Sequence, residues 1–298
     1  RSFRVKRRGR HATLRRISHI FMTDMKIVLL NYFMKDDILR SIESVVDDIR
    51  GIPFQIAIVV ADNSQNKDGI KESLAEKFPD VTYVNSGGNI GFGQGNVKGL
   101  EGEASRYYFI LNRDTIIPPG ERAIERIIRF MDEHPKIGAI GPKLLNMDGS
   151  LQYSCYRFDV SSLIVKPLRH FQLEKKYRWV RQRLSRLLME DFDHQETRPV
   201  DWVLGAALVV RKEVVDDIGW FDPRYFIYME DCDFCRTMWE AGWPVYYVHD
   251  IRIKHAHTRE SAKVPGIKAI LKNKLSRIHV KSWMQYLWKW RKTHRFYT

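Results

Sequence analysis

The sequence predicts an α/β protein with a mostly parallel central sheet and flanking helices, and three observations support this prediction. From Met25 onward, short apolar runs of strand length alternate with amphipathic segments. The run Tyr107–Leu111 is apolar throughout, which is typical of a strand covered on both faces. The polar residues Asn112-Arg113-Asp114 follow it directly, and open α/β sheets bind their ligands at the C-terminal ends of such strands.

The strand predictions rest on apolar runs that end in polar or turn-forming residues. The second run, for example, leads directly into Asp62-Asn63-Ser64, and the fourth is followed by Pro118-Pro119-Gly120. Strands are predicted at residues 26–31, 54–61, 81–84, 107–111, 137–140, 202–210 and 245–249, and residues 251–254 lead on to His255. Helical segments separate most of these strands, so right-handed crossovers would make the sheet mostly parallel.

The helix predictions rest on apolar residues that recur at three- and four-residue intervals. Residues 35–50 show this spacing at Ile38, Ile42, Val45, Val46 and Ile49. Residues 67–78 and 121–134 are also predicted to be helical, and a short helix is expected to follow a Gly-rich turn. Residues 151–200 show helical spacing only around Leu184, so we interpret them as a variable insertion that forms a lid or an acceptor surface.

The positive charge is concentrated at the two ends of the chain. Of a net charge of +14, residues 1–24 carry +7 and residues 262–298 carry +10, which leaves a body of net −3. A nucleic-acid-binding protein would place a basic groove in its folded body, so no nucleic acid partner is expected. The pattern favours peripheral contact with anionic lipid. We expect residues 1–24 to be a disordered basic leader, an upstream read-through or a segment introduced by cloning.

Length and composition narrow the class of protein further. The 298 residues allow one large domain or two small ones. No apolar stretch approaches the roughly 20 residues that a membrane-spanning helix needs, and no signal peptide is expected. Three cysteines indicate a reducing compartment. Cys232-x-x-Cys235 lies inside an acidic segment, and no second pair completes a zinc site.

Two segments are candidates for ligand binding. Asn112 and Asp114 are two residues apart, so extended backbone would place both side chains on one face. There they could hold a ribose hydroxyl and a divalent cation, or simply close a strand with a polar turn. The Gly-rich turn 87–96 is not the dinucleotide fingerprint, because Asn96 occupies the third glycine position. Its glycines could admit a phosphate or could only serve a tight turn.

The second half contributes a cluster of acids and a histidine. In Glu230-Asp231-Cys232-Asp233, the acids could stabilise the start of a helix through its dipole. Partial burial and like charge would also suit one of them to act as a general base. His255 follows a strand and is either structural or a metal ligand, with His257 as its rival.

Together these segments resemble the family 2 glycosyltransferases of the GT-A fold, in particular their bacterial rhamnosyltransferase-like members. The match extends over residues 25–261. Its motifs, in order, are Ile27 to Tyr32, Val59 to Ser64, Asn89 to Asn96, Leu111 to Thr115, and Gly219 to Asp222 running on through Glu230 to Asp233, with His255 and Ser261 completing the set. The resemblance implies a catalytic domain at 25–261, and a basic, aromatic, amphipathic helix at 262–298 follows it.

The resemblance also implies a donor site and a metal site. The nucleotide sugar would contact Asn31, Tyr32, Asp62, Asn89, Gly91, Phe92, Asn96, Asn112 and Asp114. Asp62 would hydrogen-bond the base, and Asn112 would lie near the ribose. Mn²⁺ or Mg²⁺ would be bound by Asp114 and His255. Asn112 replaces the first acid of the strict D-x-D motif, which leaves one carboxylate there for the metal.

The implied chemistry is a single in-line displacement without an enzyme nucleophile. Asp231 would deprotonate the acceptor hydroxyl, with Glu230 or Asp233 orienting it. The acceptor would contact Trp202, Gly205, Tyr228 and Asp233. A dTDP- or UDP-sugar would be the donor, with dTDP-rhamnose the first candidate. The acceptor would be a bacterial cell-surface glycan or a lipid-linked molecule, used in the bacterial cytoplasm at the inner face of the membrane.

Two alternatives remain at this stage. The same fold could use another donor, as a galactofuranosyl, N-acetylglucosaminyl or glucosyl transferase. The second alternative is a sugar-nucleotide-binding module without turnover, and Asn112 is the feature that favours this alternative. For the tail, apolar residues at helical intervals between Ile267 and Trp290 predict a helix that lies on an anionic membrane or packs on the domain.

Overall fold

The computed structural model describes residues 22–158, 173–256 and 274–293. Its strands are β1 (Thr23–Asn31), β2 (Ile56–Asp62), β3 (Thr82–Asn85), β4 (Ser105–Leu111), β5 (Thr115–Ile116), β6 (Ala139–Leu145), β7 (Cys155–Tyr156), β8 (Arg198–Pro199), β9 (Trp202–Val203), β10 (Ala207–Arg211) and β11 (Val245–His255). Its helices are α1 (Lys35–Asp48), α2 (Ile70–Lys77), α3 (Phe92–Leu100), α4 (Ala123–Glu133), α5 (Leu173–Lys176), α6 (Arg178–Leu187), α7 (Lys212–Ile218), α8 (Glu230–Glu240) and α9 (Lys274–Lys289).

Nine of the described strands form one sheet, in the order β3-β2-β1-β4-β10-β6-β11-β5, with β8 paired to β11. Strands β3, β2, β1 and β4 are parallel, and so are β6 and β11. Strand β10 runs antiparallel between β4 and β6. The predicted α/β class with a mostly parallel sheet is therefore confirmed.

Strand β4 is buried on both faces, as its continuous apolar sequence predicts. Phe109 and Leu111 belong to the core layer that α1 and α4 cover, whereas Tyr108 and Ile110 belong to the layer that α8 covers. All four are at most 6% exposed. Burying such a side chain stabilises the fold by about 1.5–3 kcal/mol, so β4 is fixed in place and its C-terminal residues have a rigid base.

Helix α3 packs unusually close to the sheet because glycine lines the face that it buries. A Cβ atom at Gly95 would lie 2.6 Å from Leu30 of β1, and one at Gly99 would lie 2.6 Å from Val28. Real side chains do not tolerate such contacts, so these glycines set the distance between helix and strand. The close packing brings the N-terminus of α3 to the C-terminal edge of β1 and β2.

Several predicted boundaries differ from the structure. The strand predicted at 202–210 is wrong, because residues 204–206 interrupt it and separate β9 from β10. The strand is interrupted because the backbone of residues 204–206 does not pair with one neighbouring strand. Instead, Gly205 donates to the side chain of Asp231, and Ala206 accepts from the N–H of Asn112. Strand β11 runs unbroken to His255, with a register shift between Val248 and Arg252. Helix α7 falls in a segment for which the sequence analysis made no assignment, and β1 begins at Thr23, two residues before Met25.

Helix α9 packs against α8 and the segment before it. Lys289 and Trp290 bond to Asp233, and the hydroxyl of Ser282 donates to the carbonyl of Ile227. Arg236, which is 1% exposed, donates to the hydroxyl of Tyr286. One face of the predicted tail helix is thus part of the domain core. Residues 267–273 of that prediction lie outside the described residues, as do His257 and Ser261.

Candidate active site

Asp62, at the C-terminal end of β2, organises the first part of the site. It is fully buried, and its oxygens accept hydrogen bonds from Asn31, Ser64, Asn66 and Tyr83. Burial opposes its ionisation, but these hydrogen bonds outweigh that effect and lower the pKa of Asp62. Because protein donors already saturate the carboxylate, its structural effect is to fix the turn after β2. A contact between Asp62 and the base of a nucleotide remains a prediction.

The Gly-rich turn connects this corner to the opposite side of the site. The side-chain amide of Asn63 donates to the carbonyl of Gly91 over 3.0 Å. Gly91 has φ +95°, and a Cβ there would lie 2.3 Å from the carbonyl oxygen of Phe226. The N–H of Phe92 donates to that same carbonyl over 2.7 Å. Only glycine allows this approach, so the turn is pinned against the segment that leads into α8.

The other predicted donor residues lie on the same edge. Tyr32 is 45% exposed at the end of β1, whereas Asn31 is buried and donates to Asp62 and Asp68. The oxygen of the Asn89 amide accepts from the N–H of Gly91, and the amide of Asn96 donates to the carbonyl of Phe92. The side chains of Asn31 and Asn96 therefore act first on the protein itself.

After β4, Asn112 and Asp114 converge on His255, and the predicted roles of Asp114 and His255 as metal ligands and of Asn112 at the ribose remain predictions. Asp114 Oδ1 lies 3.3 Å from His255 Nε2, and the Asn112 amide nitrogen lies 3.4 Å from the same atom. Pairing of β5 with β11 produces this arrangement, since Thr115 is in register with His255. Burial opposes ionisation of Asp114, but its contact with His255 lowers the pKa of Asp114.

Gln152 is a residue of this cluster that the sequence analysis did not single out. Its side-chain oxygen lies 2.7 Å from His255 Nδ1, on the opposite edge of the ring from Asp114. Its nitrogen donates to the carbonyl of His255 over 3.2 Å. A lone glutamine in a segment without periodicity carries no signal in one sequence, so only the fold could reveal this contact.

The residues present fit a divalent cation, although no group of three or more His, Cys, Asp or Glu forms a metal cluster within the described ranges. Neighbouring ligand atoms around an ion with bonds of about 2.1 Å are about 3 Å apart. Asp114 Oδ1 and His255 Nε2 are 3.3 Å apart and point toward each other. One carboxylate and one imidazole are suitable ligands for Mn²⁺ or Mg²⁺, with a diphosphate and water filling the remaining positions.

Asp231 lies in the first turn of α8, where two backbone N–H groups hold its carboxylate. Gly205 donates to Oδ2 over 3.0 Å, and Cys232 donates to Oδ1 over 2.8 Å. Tyr228 and Met229, directly before α8, have φ of +69° and +71°, which is unusual for residues other than glycine. Such strained backbone concentrates at functional sites. The positive φ angles of Tyr228 and Met229 turn the chain sharply, so that Glu230 and Asp231 lie at the N-terminus of α8.

Glu230 is buried beside Asp231, and one oxygen of its carboxyl group lacks a hydrogen-bond partner among the described residues. The residue is 5% exposed, and this oxygen, Oε2, is itself buried. Burial, followed by the charge of Asp231, raises the pKa of Glu230 well above its usual value. A neutral Glu230 avoids the repulsion that two adjacent buried carboxylates would cause.

Residues 204–206 bring the two halves of the site together. The carbonyl of Ala206 accepts from the N–H of Asn112 over 2.8 Å, and its neighbour Gly205 bonds to Asp231. A Cβ at Gly205 would lie 3.3 Å from the Cβ of Asp231 and 3.5 Å from the ring of Phe92. Asn112, the carboxylate of Asp231 and Phe92 after the Gly-rich turn therefore all contact one short backbone segment.

The structure corrects the predicted acceptor contacts of two residues. Asp233 is 1% exposed, and its carboxylate is bound to Tyr225, Lys289 and Trp290, so it joins α8 to α9 and has no surface for an acceptor. Burial raises the pKa of Asp233, although Lys289 counteracts this in part. Trp202 is 3% exposed and stacks on Tyr156 with ring centroids 4.2 Å apart, which is a packing role.

The two other predicted acceptor residues are Gly205 and Tyr228. Gly205 donates its N–H to Asp231, as described, and so helps to fix the orientation of that carboxylate. Tyr228 is half-buried and stacks on His279 of α9, with ring centroids 4.3 Å apart. Direct contact of either residue with an acceptor remains a prediction.

Fold and site together define a glycosyltransferase of the GT-A type. Residues 11–275 match the sequence profile described as "Glycosyltransferase like family 2", and the chain belongs to that family. The chain is 28% identical over 222 residues to the N-acetylglucosaminyl-diphospho-decaprenol L-rhamnosyltransferase of Mycobacterium tuberculosis. The alignment covers 71% of this chain and 70% of that one. The rhamnosyltransferase-like resemblance and the assignment as a glycosyltransferase are thereby confirmed.

Solved structures show the same fold at low identity. A mannosyltransferase of Pyrobaculum calidifontis in complex with GDP-Man and Mn²⁺ superposes with a TM-score of 0.53 at 12% identity, covering 93% of this chain and 77% of that one. GalNAc-T7 with UDP, GalNAc and Mn²⁺ gives a TM-score of 0.55 at 15% identity, covering 78% of this chain but only 44% of the other. These neighbours support the GT-A fold, and each contains Mn²⁺ according to its description.

Proposed function

We propose that the protein is an inverting, metal-dependent glycosyltransferase that moves a sugar from a nucleotide sugar to a hydroxyl of a bacterial surface-glycan or lipid-linked acceptor. The observation that supports this most strongly is that Asn112, which lies beside the Asp114–His255 pair, and Asp231 both bond to the backbone of residues 205–206. The M. tuberculosis relative, named as a rhamnosyltransferase with a lipid-diphosphate acceptor, favours dTDP-rhamnose as the donor. Other dTDP- or UDP-sugars are the alternative.

In the proposed reaction, Asp231 accepts the proton of the acceptor hydroxyl. The acceptor oxygen bonds to the anomeric carbon while the bond from that carbon to the diphosphate breaks, so the configuration inverts. Two N–H groups hold the carboxylate of Asp231 in a fixed orientation, and a neutral Glu230 would add no second negative charge beside it. A divalent cation held by Asp114 and His255 would supply positive charge to the leaving diphosphate.

A screen of nucleotide binding tests this proposal. Thermal unfolding of the protein would be followed with dTDP, UDP, GDP and their sugars, each with and without Mn²⁺. Saturation at 100 times the dissociation constant stabilises the fold by about 2.7 kcal/mol, which a melting curve resolves easily. We expect a metal-dependent rise in Tm with a dTDP or UDP compound. No rise with any nucleotide would refute the proposed donor site.

A non-catalytic sugar-nucleotide-binding module is the second candidate. Asn112 supports it, because an amide stands where a second carboxylate would strengthen metal binding. The same binding screen followed by a transfer assay separates the two. Nucleotide binding with transfer to an acceptor extract supports the enzyme, whereas binding without transfer to any acceptor, under conditions in which the relative is active, supports the module.

We also propose that helix α9 contacts an anionic membrane peripherally. The apolar face of α9 packs on the domain, so the contact would be made by the opposite face, where residues at intervals of three and four are exposed. These residues are Lys274, Arg277, Lys281, Met284 and Trp288. Met284 is 54% and Trp288 is 68% exposed, and residues 262–298 contain no acid. Basic residues beside an exposed indole suit an anionic lipid surface.

Vesicle binding tests this contact. No helix among the described residues has both the length and the apolar character to cross a membrane. Binding to anionic vesicles is expected to weaken about five-fold in Lys281→Ala, because each basic residue near the surface contributes about 1 kcal/mol. Lys77→Ala, an equally exposed lysine of α2, is the control and should bind as the wild type does. Equal binding to neutral and anionic vesicles would refute the proposal.

A further inference from the structure

The orientation of the Gln152 amide is determined by a chain of hydrogen bonds. Asn146 donates from Nδ2 to the carbonyl of Leu151 over 3.3 Å, and a carbonyl can only accept. The Oδ1 of Asn146 therefore faces Gln152, whose Nε2 donates to it over 2.9 Å. The same Nε2 donates to the carbonyl of His255 over 3.2 Å. Two independent carbonyl acceptors thus place the Gln152 oxygen, and not its nitrogen, against the His255 ring.

The turn that carries these residues is itself held rigidly. Asp148 accepts from both the N–H and the hydroxyl of Ser150, and Gly149 adopts φ +87°. The N–H of Asn146 donates to the carbonyl of Ser150 over 2.8 Å, which closes the turn. Gln152 is 8% exposed, so neither water nor a surface side chain readily replaces its oxygen.

Gln152 and Asp114 compete for the protons of the His255 ring. Gln152 Oε1 lies 2.7 Å from Nδ1, and Asp114 Oδ1 lies 3.3 Å from Nε2. With a single ring proton on Nε2, the lone pair of Nδ1 would face the lone pairs of Gln152 Oε1 inside the protein. Leaving such a buried acceptor without a donor costs about 1–3 kcal/mol. The Gln152 contact therefore favours a proton on Nδ1.

A proton on Nδ1 determines what Nε2 can do. A neutral ring protonated on Nδ1 presents the lone pair of Nε2 toward Asp114, where a cation can be shared between them. Histidine ligands of metals commonly have their second ring nitrogen fixed by an acceptor in this way. A neutral ring protonated on Nε2 would instead donate to Asp114 and block both ligands at once.

We propose that Gln152 is a positioning residue that keeps a proton on His255 Nδ1 and so reserves Nε2 for a divalent cation bound with Asp114. The inference rests on the metal-dependent function proposed above. Gln152 touches neither substrate nor metal in this account. It acts only through the ring of His255, and the competing acceptor that it overcomes is the carboxylate of Asp114.

Two substitutions and a control test the proposal. Gln152→Met keeps the length of the side chain and removes the acceptor. Gln152→Glu keeps an acceptor oxygen for Nδ1. Gln55→Met makes the same chemical change at an exposed glutamine next to β2, remote from the site. The state of the ring is measured by ¹⁵N NMR of the metal-free protein, with the His255 signals assigned from a His255→Asn variant. Mn²⁺ affinity is measured by electron paramagnetic resonance without any nucleotide.

In the wild type and in Gln55→Met, we expect Nδ1 to carry a proton and Mn²⁺ to bind. In Gln152→Met, the neutral ring should carry its proton on Nε2, and Mn²⁺ should bind about 10- to 100-fold more weakly. Gln152→Glu should bind Mn²⁺ more tightly than Gln152→Met does. A wild-type ring protonated on Nε2 alone would overturn the proposal even if Gln152→Met failed to fold.

Two other results would also overturn it: no Mn²⁺ binding by the wild type, or a Mn²⁺ affinity of Gln152→Met within two-fold of the wild type. These readouts involve no sugar transfer. If they come out as expected and the protein transfers no sugar, the proposed function fails and the role of Gln152 stands.

Discussion

Lys289 joins the C-terminal helix α9 to α8, the helix that carries Asp231, and its replacement by methionine should destabilise the protein measurably. Its ammonium lies 2.6 Å from Asp233 Oδ2 and 3.0 Å from Asp222 Oδ2. The Asp233 side chain is 2% exposed and that of Lys289 is 23% exposed. Lys289→Met keeps most of the apolar stem but leaves a buried carboxylate without its counter-charge.

The size of the effect follows from the burial of the pair. Removing one partner of a fully buried ion pair typically costs about 3–5 kcal/mol. Here Asp233 keeps hydrogen bonds from Tyr225 and Trp290, and Lys289 is partly solvated. We therefore expect a loss of about 2–3 kcal/mol in the free energy of unfolding at neutral pH, measured by urea denaturation. Lys281→Met, the same change at an exposed position of the same helix, should cost less than about 0.5 kcal/mol.

The pH dependence gives an independent check. Burial already raises the pKa of Asp233 in the wild type, against the effect of Lys289, and loss of Lys289 should raise it further. A carboxyl group with a raised pKa in the folded state favours folding below its unfolded pKa and loses this contribution as the pH rises. The deficit of Lys289→Met should therefore grow from about pH 4 to neutral pH. A deficit equal to that of Lys281→Met, or one independent of pH, would refute the reasoning.

Two further predictions concern the first part of the site. Gly91→Ala should destabilise the fold by more than about 2 kcal/mol, because φ is +95° and the new Cβ would lie 2.3 Å from a backbone oxygen. Gly87→Ala, with φ +78° and no atom within 4 Å, should cost only about 1–2 kcal/mol, and equal losses in urea denaturation would contradict the steric argument. Tyr83→Phe removes a 2.9 Å hydrogen bond to Asp62 and should cost about 1.5–3 kcal/mol at neutral pH. Because the pKa of Asp62 is lowered in the folded state, the stability that its ionised form contributes is present above the unfolded pKa and should disappear as the pH falls through the folded pKa. If Tyr83→Phe still lowered the free energy of unfolding in acid by the same amount, the prediction would be wrong.

The features that the sequence predicted well are those that local pattern determines. The buried strand before Asn112 is recognisable because every residue of Tyr107–Leu111 is apolar, and a strand covered on both faces requires that composition. The pairing of Asp114 with His255 was expected only through the family resemblance. Their separation of 141 positions along the chain leaves no periodic signal, and only the pairing of β5 with β11 brings them together.

The features that the sequence did not predict depend on distant contacts. The apolar run from Trp202 has the composition of one strand, but Gly205 bonds to Asp231 and Ala206 bonds to Asn112, which interrupts it. Asp233 has the sequence context of a site residue, yet Lys289 and Trp290 draw its carboxylate into the interior. In each case, long-range hydrogen bonds override a local pattern.

The central claim is that Asp231 deprotonates the acceptor, and the most direct measurement is sugar transfer by Asp231→Asn. The amide keeps the shape of the side chain but cannot accept the proton, and a general base contributes about 10²–10⁴-fold to the rate. Transfer from dTDP-rhamnose, or from the donor that the binding screen identifies, would be measured with a lipid-linked acceptor. We predict a loss of kcat in that range with unchanged nucleotide affinity. Stability should fall only by about 1–3 kcal/mol, because the amide nitrogen leaves one of the two N–H groups of Gly205 and Cys232 without an acceptor. Turnover at the wild-type rate would contradict the claim.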